Sequence, residues 1–302
     1  MSIMIPTWSM FVQSIANAVS LGSLYALVAI GYTMVYGILR LINFAHGDIF
    51  MMSMYFAFYL MSLFALPWYI SFVLAIVGIA LLGIMIERVA YKPLREAPRI
   101  SSLISAIGVS YLLENLAVVC FSGVPKNFPS VPFFQNYVEI AGIKIQILSF
   151  AVPIITIILV SVLLLLINKT KTGIAMRASS FDFDTSRLMG INVDGVIRLT
   201  FCIGSVLAAV GALMWGLKFP KVEPYVGVAP GLKCFIAAVI GGIGNIQGAV
   251  LGGVLLGFLE ILLVLFFPIL SGYKDAFSFI LLILILLFKP TGLLPEKTTN
   301  KV

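Results

Sequence analysis

Charge is what this sequence has least of. Asp, Glu, Lys and Arg together make 10% of 302 residues, against 61% hydrophobic. A soluble domain averages about 25% charged residues and needs polar side chains to cover its surface. Here most of the surface must face lipid instead. Within a bilayer only helices or closed barrels satisfy the backbone. The apolar runs are long and continuous rather than alternating at every second residue, which selects helices. Catalytic signatures are missing too. There is no G-x-x-x-x-G-K-[ST] phosphate loop, no H-E-x-x-H and no nucleophile elbow. The glycine-rich stretch Gly241–Gly248 is no dinucleotide fingerprint, because Gln247 stands at the third glycine position and apolar runs flank it. A single histidine, with no serine paired to it, argues against an intramembrane hydrolase. Cys120, Cys202 and Cys234 are scattered in or beside apolar runs and read as small packing residues, not as a metal or disulfide framework. No cationic side chain precedes Arg40, so a cleaved leader is not expected and the first helix inserts as it stands.

What is present is a succession of apolar runs. They cover about Phe11–Leu39, Ile49–Leu66, Trp68–Ile86, Ile100–Phe121, Ile147–Ile167, Val196–Leu217, Ala249–Pro268 and Ala276–Phe288. Most are long enough for a hydrocarbon layer of about 30 Å. A shorter piece, Val228–Ile240, is too short to span upright. The expectation is an all-α polytopic integral membrane protein of about eight transmembrane helices, one of them short or re-entrant. It forms a single domain over residues 1–302, with a cytoplasmic loop at about 168–195. The segment 122–146, holding Pro125, Pro129 and Pro132, reads as irregular.

The net charge of +7 comes from cations in short connections, which is the positive-inside pattern rather than a nucleic-acid patch. Placing Arg40, the 87–99 loop, the 168–198 stretch and the C-terminal tail in the cytoplasm puts 13 of the 19 cations there. Lys126, Lys144, Lys218, Lys221 and Lys274 fall on the opposite side, and Lys233 lies within the short apolar piece. The N-terminus is then outside and the C-terminus inside, which requires the piece at 228–240 to cross or nearly cross.

Ionisable residues at membrane depth are costly and face protein or water. The candidates are His46, Asp48, Glu114, Lys233 and Glu260, with Asn17 and Asn43 as further polar groups. Asn43, His46, Asp48 and Glu114 are the expected pathway set. His46 and Asp48 flank Gly47 at a break between runs, so capping a broken helix is the competing role; for Glu114 it is a hydrogen bond to a neighbouring helix. Gly244, Gly248 and Gly252 repeat every four residues, as do Gly253 and Gly257. That spacing lines one helix face and lets backbones approach. The 168–198 stretch carries Asp184-Thr185-Ser186, then three residues, then Gly190, a short helical segment shaped for docking into another protein.

Several longer segments carry a family resemblance. They are Gly31-Tyr-Thr-Met-Val-Tyr-Gly37, Asn43-Phe-Ala-His-Gly-Asp48, Glu87-Arg-Val-Ala-Tyr-Lys-Pro-Leu-Arg95, Leu103-Ile-Ser-Ala-Ile-Gly108, Gly190-Ile-Asn192, Ala237-Ala-Val-Ile-Gly-Gly-Ile-Gly244 and Pro290-Thr-Gly-Leu293. Together they make the chain resemble the H-type permease subunit of bacterial branched-chain amino acid ABC transporters. The resemblance implies an importer of leucine, isoleucine or valine in the bacterial inner membrane, working by alternating access. It implies a second permease subunit, two cytoplasmic ATPase subunits and an extracytoplasmic substrate-binding protein as partners. This chain then needs no cofactor, and ATP and Mg belong to the ATPase subunits. The coupling motif E-A-A-x3-G is matched by Asp184-Thr185-Ser186-x3-Gly190, with Asp for Glu and hydroxyl residues for the alanines. The motif's I-x-L-P end is missing. Related permeases carry urea or short-chain amides. An ion-driven secondary transporter is the other reading the helix pattern permits, with a channel and a membrane enzyme behind it.

Overall fold

The computed structural model describes residues 7–95, 97–140 and 142–295. Its first helix organises the rest. Helix α1 (Trp8–Leu39) runs 32 residues, about 48 Å at 1.5 Å per residue. The Thr7 side chain caps it by accepting from the Met10 amide, and Arg40 ends it in the left-handed region at φ 55°. From Ala18 onward it is almost wholly buried. Around it stand α2 (His46–Ser62), α3 (Trp68–Ile86), α4 (Arg99–Phe121), α6 (Ile147–Lys169), α9 (Val193–Lys218), α10 (Val228–Gly241), α11 (Ile246–Phe266) and α12 (Lys274–Phe288). Between α3 and α4 the chain makes a π-helical turn, Glu87–Tyr91, and a 3-10 turn, Lys92–Leu94.

Seven of these helical segments are long and apolar enough to cross a membrane. Helix α2 has 17 residues, and α10, with 14, is the short piece anticipated at 228–240. The protein is thus an all-α polytopic membrane protein. The outward faces of α4, α6 and α12 carry exposed Val119, Ile157 and Leu287, as lipid contact requires.

Close helix approach rests on missing side chains. A Cβ on Gly22 of α1 would lie 2.8 Å from the Cα of Val254 in α11, and one on Gly253 would lie 2.5 Å from the Ala26 amide. Gly257 faces Gly22 in the same seam, while Gly248 and Gly252 press on the Gly241 and Ala237 carbonyls of α10. Gly244 differs from the other glycines of the repeat. It precedes α11 in a turn at φ 98°, where only glycine is unstrained.

The connections fall into two groups. On one face, strand β1 (Lys126–Asn127) pairs antiparallel with β4 (Lys221–Val222), and the Gln13 amide donates to the Lys144 carbonyl. The segment 122–146, expected to be irregular, holds β1, a short α5 (Pro132–Gln135) and a hairpin of β2 (Tyr137–Ile140) with β3 (Ile143–Gln146). On the other face, Lys92 and Arg95 pair with Asp194, Tyr91 bonds Asn43, and the Leu294 amide donates to the Gly241 carbonyl. These are the two sets of loops that the lysine and arginine distribution separated. The tail cations Lys297 and Lys301 lie outside the described residues.

Candidate functional site

Two helices begin inside the layer rather than at its surface. Gly31 of α1 would clash with the His46 ring if it carried a Cβ, and Gly47 lies against Gly227 and Gly231. Tyr32 stacks edge-on with His46 at 4.5 Å and with Phe235 at 5.9 Å between ring centroids. Tyr32 sits eight residues before Arg40, about 12 Å deeper along α1. The starts of α2 and α10 therefore meet at the depth of Tyr32. Glycine at positions 47, 227 and 231 is what lets the two ends touch: a Cβ on Gly47 would come within 2.8 Å of the Gly227 carbonyl oxygen.

Beside that junction opens a cavity of about 250 Å³. Asp48, Ser110 and Glu114 line one side, with Tyr32, Gly47, Gly227 and Gly231 at its base. Ile42, Phe44, Ile107, Tyr111, Val228, Leu232 and Phe235 make the wall mostly apolar. Asp48 is in the first turn of α2, and its carboxylate accepts from the Ser110 hydroxyl of α4. The Gly47 amide is bonded to the Tyr32 hydroxyl oxygen. No side chain caps the first turn of α10, and Gly227, Val228 and Gly231 at that positive end line the cavity. Two carboxylates, a hydroxyl and an uncapped helix start in an apolar pocket match the chemistry of a small zwitterion with an apolar body.

Of the four residues expected in a pathway, the fold brings Asp48 and Glu114 together. His46 and Asn43 go elsewhere. The His46 ring packs beneath Tyr32 with one nitrogen on the Val28 carbonyl, and its Nε2 has no partner among the described residues. Asn43 accepts from the Tyr91 hydroxyl at 2.9 Å and does not line the cavity. Sequence reasoning missed Tyr32, Ser110 and the Gly227–Gly231 start of α10. The one available signal was Gly227-Val-Ala-Pro-Gly231, two glycines and a proline opening an apolar piece.

Lys233 and Glu260, the other two ionisable residues expected at membrane depth, pair with each other at 2.9 Å and do not line the cavity. Asp275 also meets Lys233, at 2.7 Å, and the Tyr25 hydroxyl reaches both Glu260 oxygens.

The 168–198 stretch holds two helices, α7 (Lys171–Phe181) and α8 (Phe183–Leu188), with Asp182 capping the second by accepting from the Asp184 and Thr185 amides. Asp184, Thr185 and Gly190 are exposed. Ser186 is not: at 3% exposure it faces inward. The most exposed apolar side chains here are Leu188 and Met189, 87% and 78% accessible, where the chain turns through Gly190 at φ 82°.

The family model for the branched-chain amino acid transport system permease component matches residues 14–286. The chain is 40% identical over 303 residues to the high-affinity branched-chain amino acid transport system permease protein BraD of Pseudomonas aeruginosa, covering 97% of this chain and 98% of that one. It is equally similar, with the same coverage, to LivH of the corresponding Escherichia coli K12 system. A probable branched-chain amino acid transport permease protein of Methanocaldococcus jannaschii is 29% identical over 92% of this chain and 90% of its own.

Proposed function

This chain belongs to the branched-chain amino acid transport permease family, and we propose that the cavity at the α2–α10 junction is the point through which it passes a branched-chain amino acid. The protein is a transport subunit and not an enzyme. It spans the membrane several times, and in our reading its N-terminus is outside and its C-terminus in the cytoplasm of a bacterial inner membrane. One domain, residues 1–302, carries the path, and the segment at about 168–195 is the lever.

The observation that carries this reading is the pairing of Asp48 and Glu114 in an apolar cavity beside the uncapped start of α10. An amino acid presents an ammonium, a carboxylate and, in this class, a branched alkyl group. Asp48 and Glu114 suit the ammonium. The first turn of α10 and the Tyr32 hydroxyl suit the carboxylate. Ile42, Phe44, Ile107, Leu232 and Phe235 suit the alkyl group. Urea and short amides carry no charge and would leave both carboxylates without a counter-charge, which favours amino acids over that alternative.

Phe44, Tyr111, Val228 and Leu232 are exposed at the cavity mouth, and a second permease subunit closing that side would complete the pathway. ATP with Mg acts on two separate cytoplasmic ATPase subunits, docked at α8 and the Leu188–Gly190 turn. A binding protein delivers substrate on the opposite face. The test is uptake of labelled leucine by vesicles holding the reconstituted complex. Asp48→Asn and Glu114→Gln are expected to cut uptake at least tenfold, the weight of a charge-assisted hydrogen bond of about 1.5–3 kcal/mol, with assembly unchanged. Normal uptake by both variants would remove the cavity from the path.

A further inference from the structure

A run of paired side chains joins the cytoplasmic segment to the start of α2. Asp194, in the first turn of α9 directly after the α7–α8 segment, meets Arg95 at 2.5 Å and Lys92 at 2.7 Å. Arg95 also pairs with Glu87, whose side chain is fully buried. Between them lies the π-helical turn Glu87–Tyr91, closed by the Lys92 amide on the Glu87 carbonyl five residues back. Its cause is in the sequence. Pro93 has no amide hydrogen, and in an α-helix its ring would strike the Val89 carbonyl. The wider turn relieves that clash. The same turn carries Tyr91, whose hydroxyl donates to the buried Asn43 side chain at 2.9 Å. Asn43 in turn accepts the His46 amide at its carbonyl, two residues before Asp48.

We propose that Tyr91 and Arg95 are positioning residues that carry movement of the cytoplasmic segment to the cavity, a link that rests on the reading of the cavity given above. One short helical turn holds both ends: Arg95 grips the start of α9 and Tyr91 grips the strand of chain that feeds α2. The cluster also has a second arrangement available. Glu87 Oε2 and Arg95 Nε are buried and have no partner among the described residues. Turning the guanidinium side-on to Glu87 pairs those two atoms and gives up the contact with Asp194, which keeps Lys92. Arg95 is thus shared between the π-helical turn and α9 in one state and held by the π-helical turn alone in the other. A two-position element that both sites bias is what coupling over distance requires.

The test uses the complete complex in vesicles and reads leucine uptake per ATP hydrolysed. Tyr91→Phe keeps the ring and loses the hydroxyl; Asp194→Asn keeps the shape and loses the charge. Each is expected to lower the uptake-to-ATP ratio about fivefold, the weight of one hydrogen bond, with ATP hydrolysis retained. The double variant is expected to match the worse single, because both break one link. Arg95→Lys, which keeps the charge and loses the fork, gives the same signature in a third background. An unchanged ratio in all the singles overturns the proposal, and so does a double variant that multiplies the two losses. Asp48→Asn run in parallel separates the two readings. If it transports normally while Tyr91→Phe uncouples, the cavity falls and the link stands. If it blocks uptake while Tyr91→Phe leaves the ratio intact, the link falls and the cavity stands.

Discussion

Replacing Lys233 with methionine probes how α10 is held. Its ammonium sits 2.9 Å from Glu260 and 2.7 Å from Asp275, so one side chain ties α10 to α11 and α12, and Tyr25 brings in α1. Methionine nearly preserves the volume, so packing changes little. The charge balance changes a great deal. Glu260 is 3% exposed and keeps only the Tyr25 hydroxyl, whereas Asp275 is more than half exposed and is rehydrated. Stranding one buried charge of a pair costs about 3–5 kcal/mol. At 1.4 kcal/mol per decade this is a factor of roughly a hundred to a few thousand in the folded population. The assay is the thermal midpoint of the detergent-solubilised subunit, followed by loss of the monodisperse size-exclusion peak. Lys233→Met is expected to lower the midpoint sharply. Lys233→Met with Glu260→Gln is expected to recover most of it, because no buried charge is then unpaired. A single variant as stable as the parent, or a double no better than the single, would refute the reasoning.

Three further outcomes concern the connections between helices. In a background lacking Cys120, Cys202 and Cys234, a cysteine at Gln135 is expected to react with a membrane-impermeant thiol reagent from outside, and one at Asp184 is not; the opposite pattern reverses the orientation. Leu188→Glu and Met189→Glu, at exposed apolar positions of the turn after α8, are expected to reduce co-purification of ATPase subunits about tenfold or more, as loss of an interface anchor does. Ser186→Arg is expected instead to lower the yield of this subunit, since that side chain is buried. Equal co-purification by both glutamate variants would place docking elsewhere.

The sequence by itself determined the class of molecule. With so few charges the chain can only be stable in lipid, and continuous apolar runs can satisfy their backbones there only as helices. Cation placement could be read from sequence because each loop's charge is a local property of the chain. The small-residue repeat at Gly248, Gly252, Gly253 and Gly257 marked a close-packed helix for the same reason: helical spacing is local. Tertiary structure alone decided which polar groups meet. Asp48 and Glu114 are neighbours only because α2 and α4 pack together. Asn43 and His46, three residues apart and both buried, were sent to different partners by Tyr91 and Tyr32. Lys233 found Glu260 and Asp275 on two other helices. Ser186 turned inward while Leu188, two residues on, faced out, because α8 packs one side against the core. A helix states its period in sequence, but the direction of each face is fixed by the neighbours it packs against, and those are chosen across the whole chain.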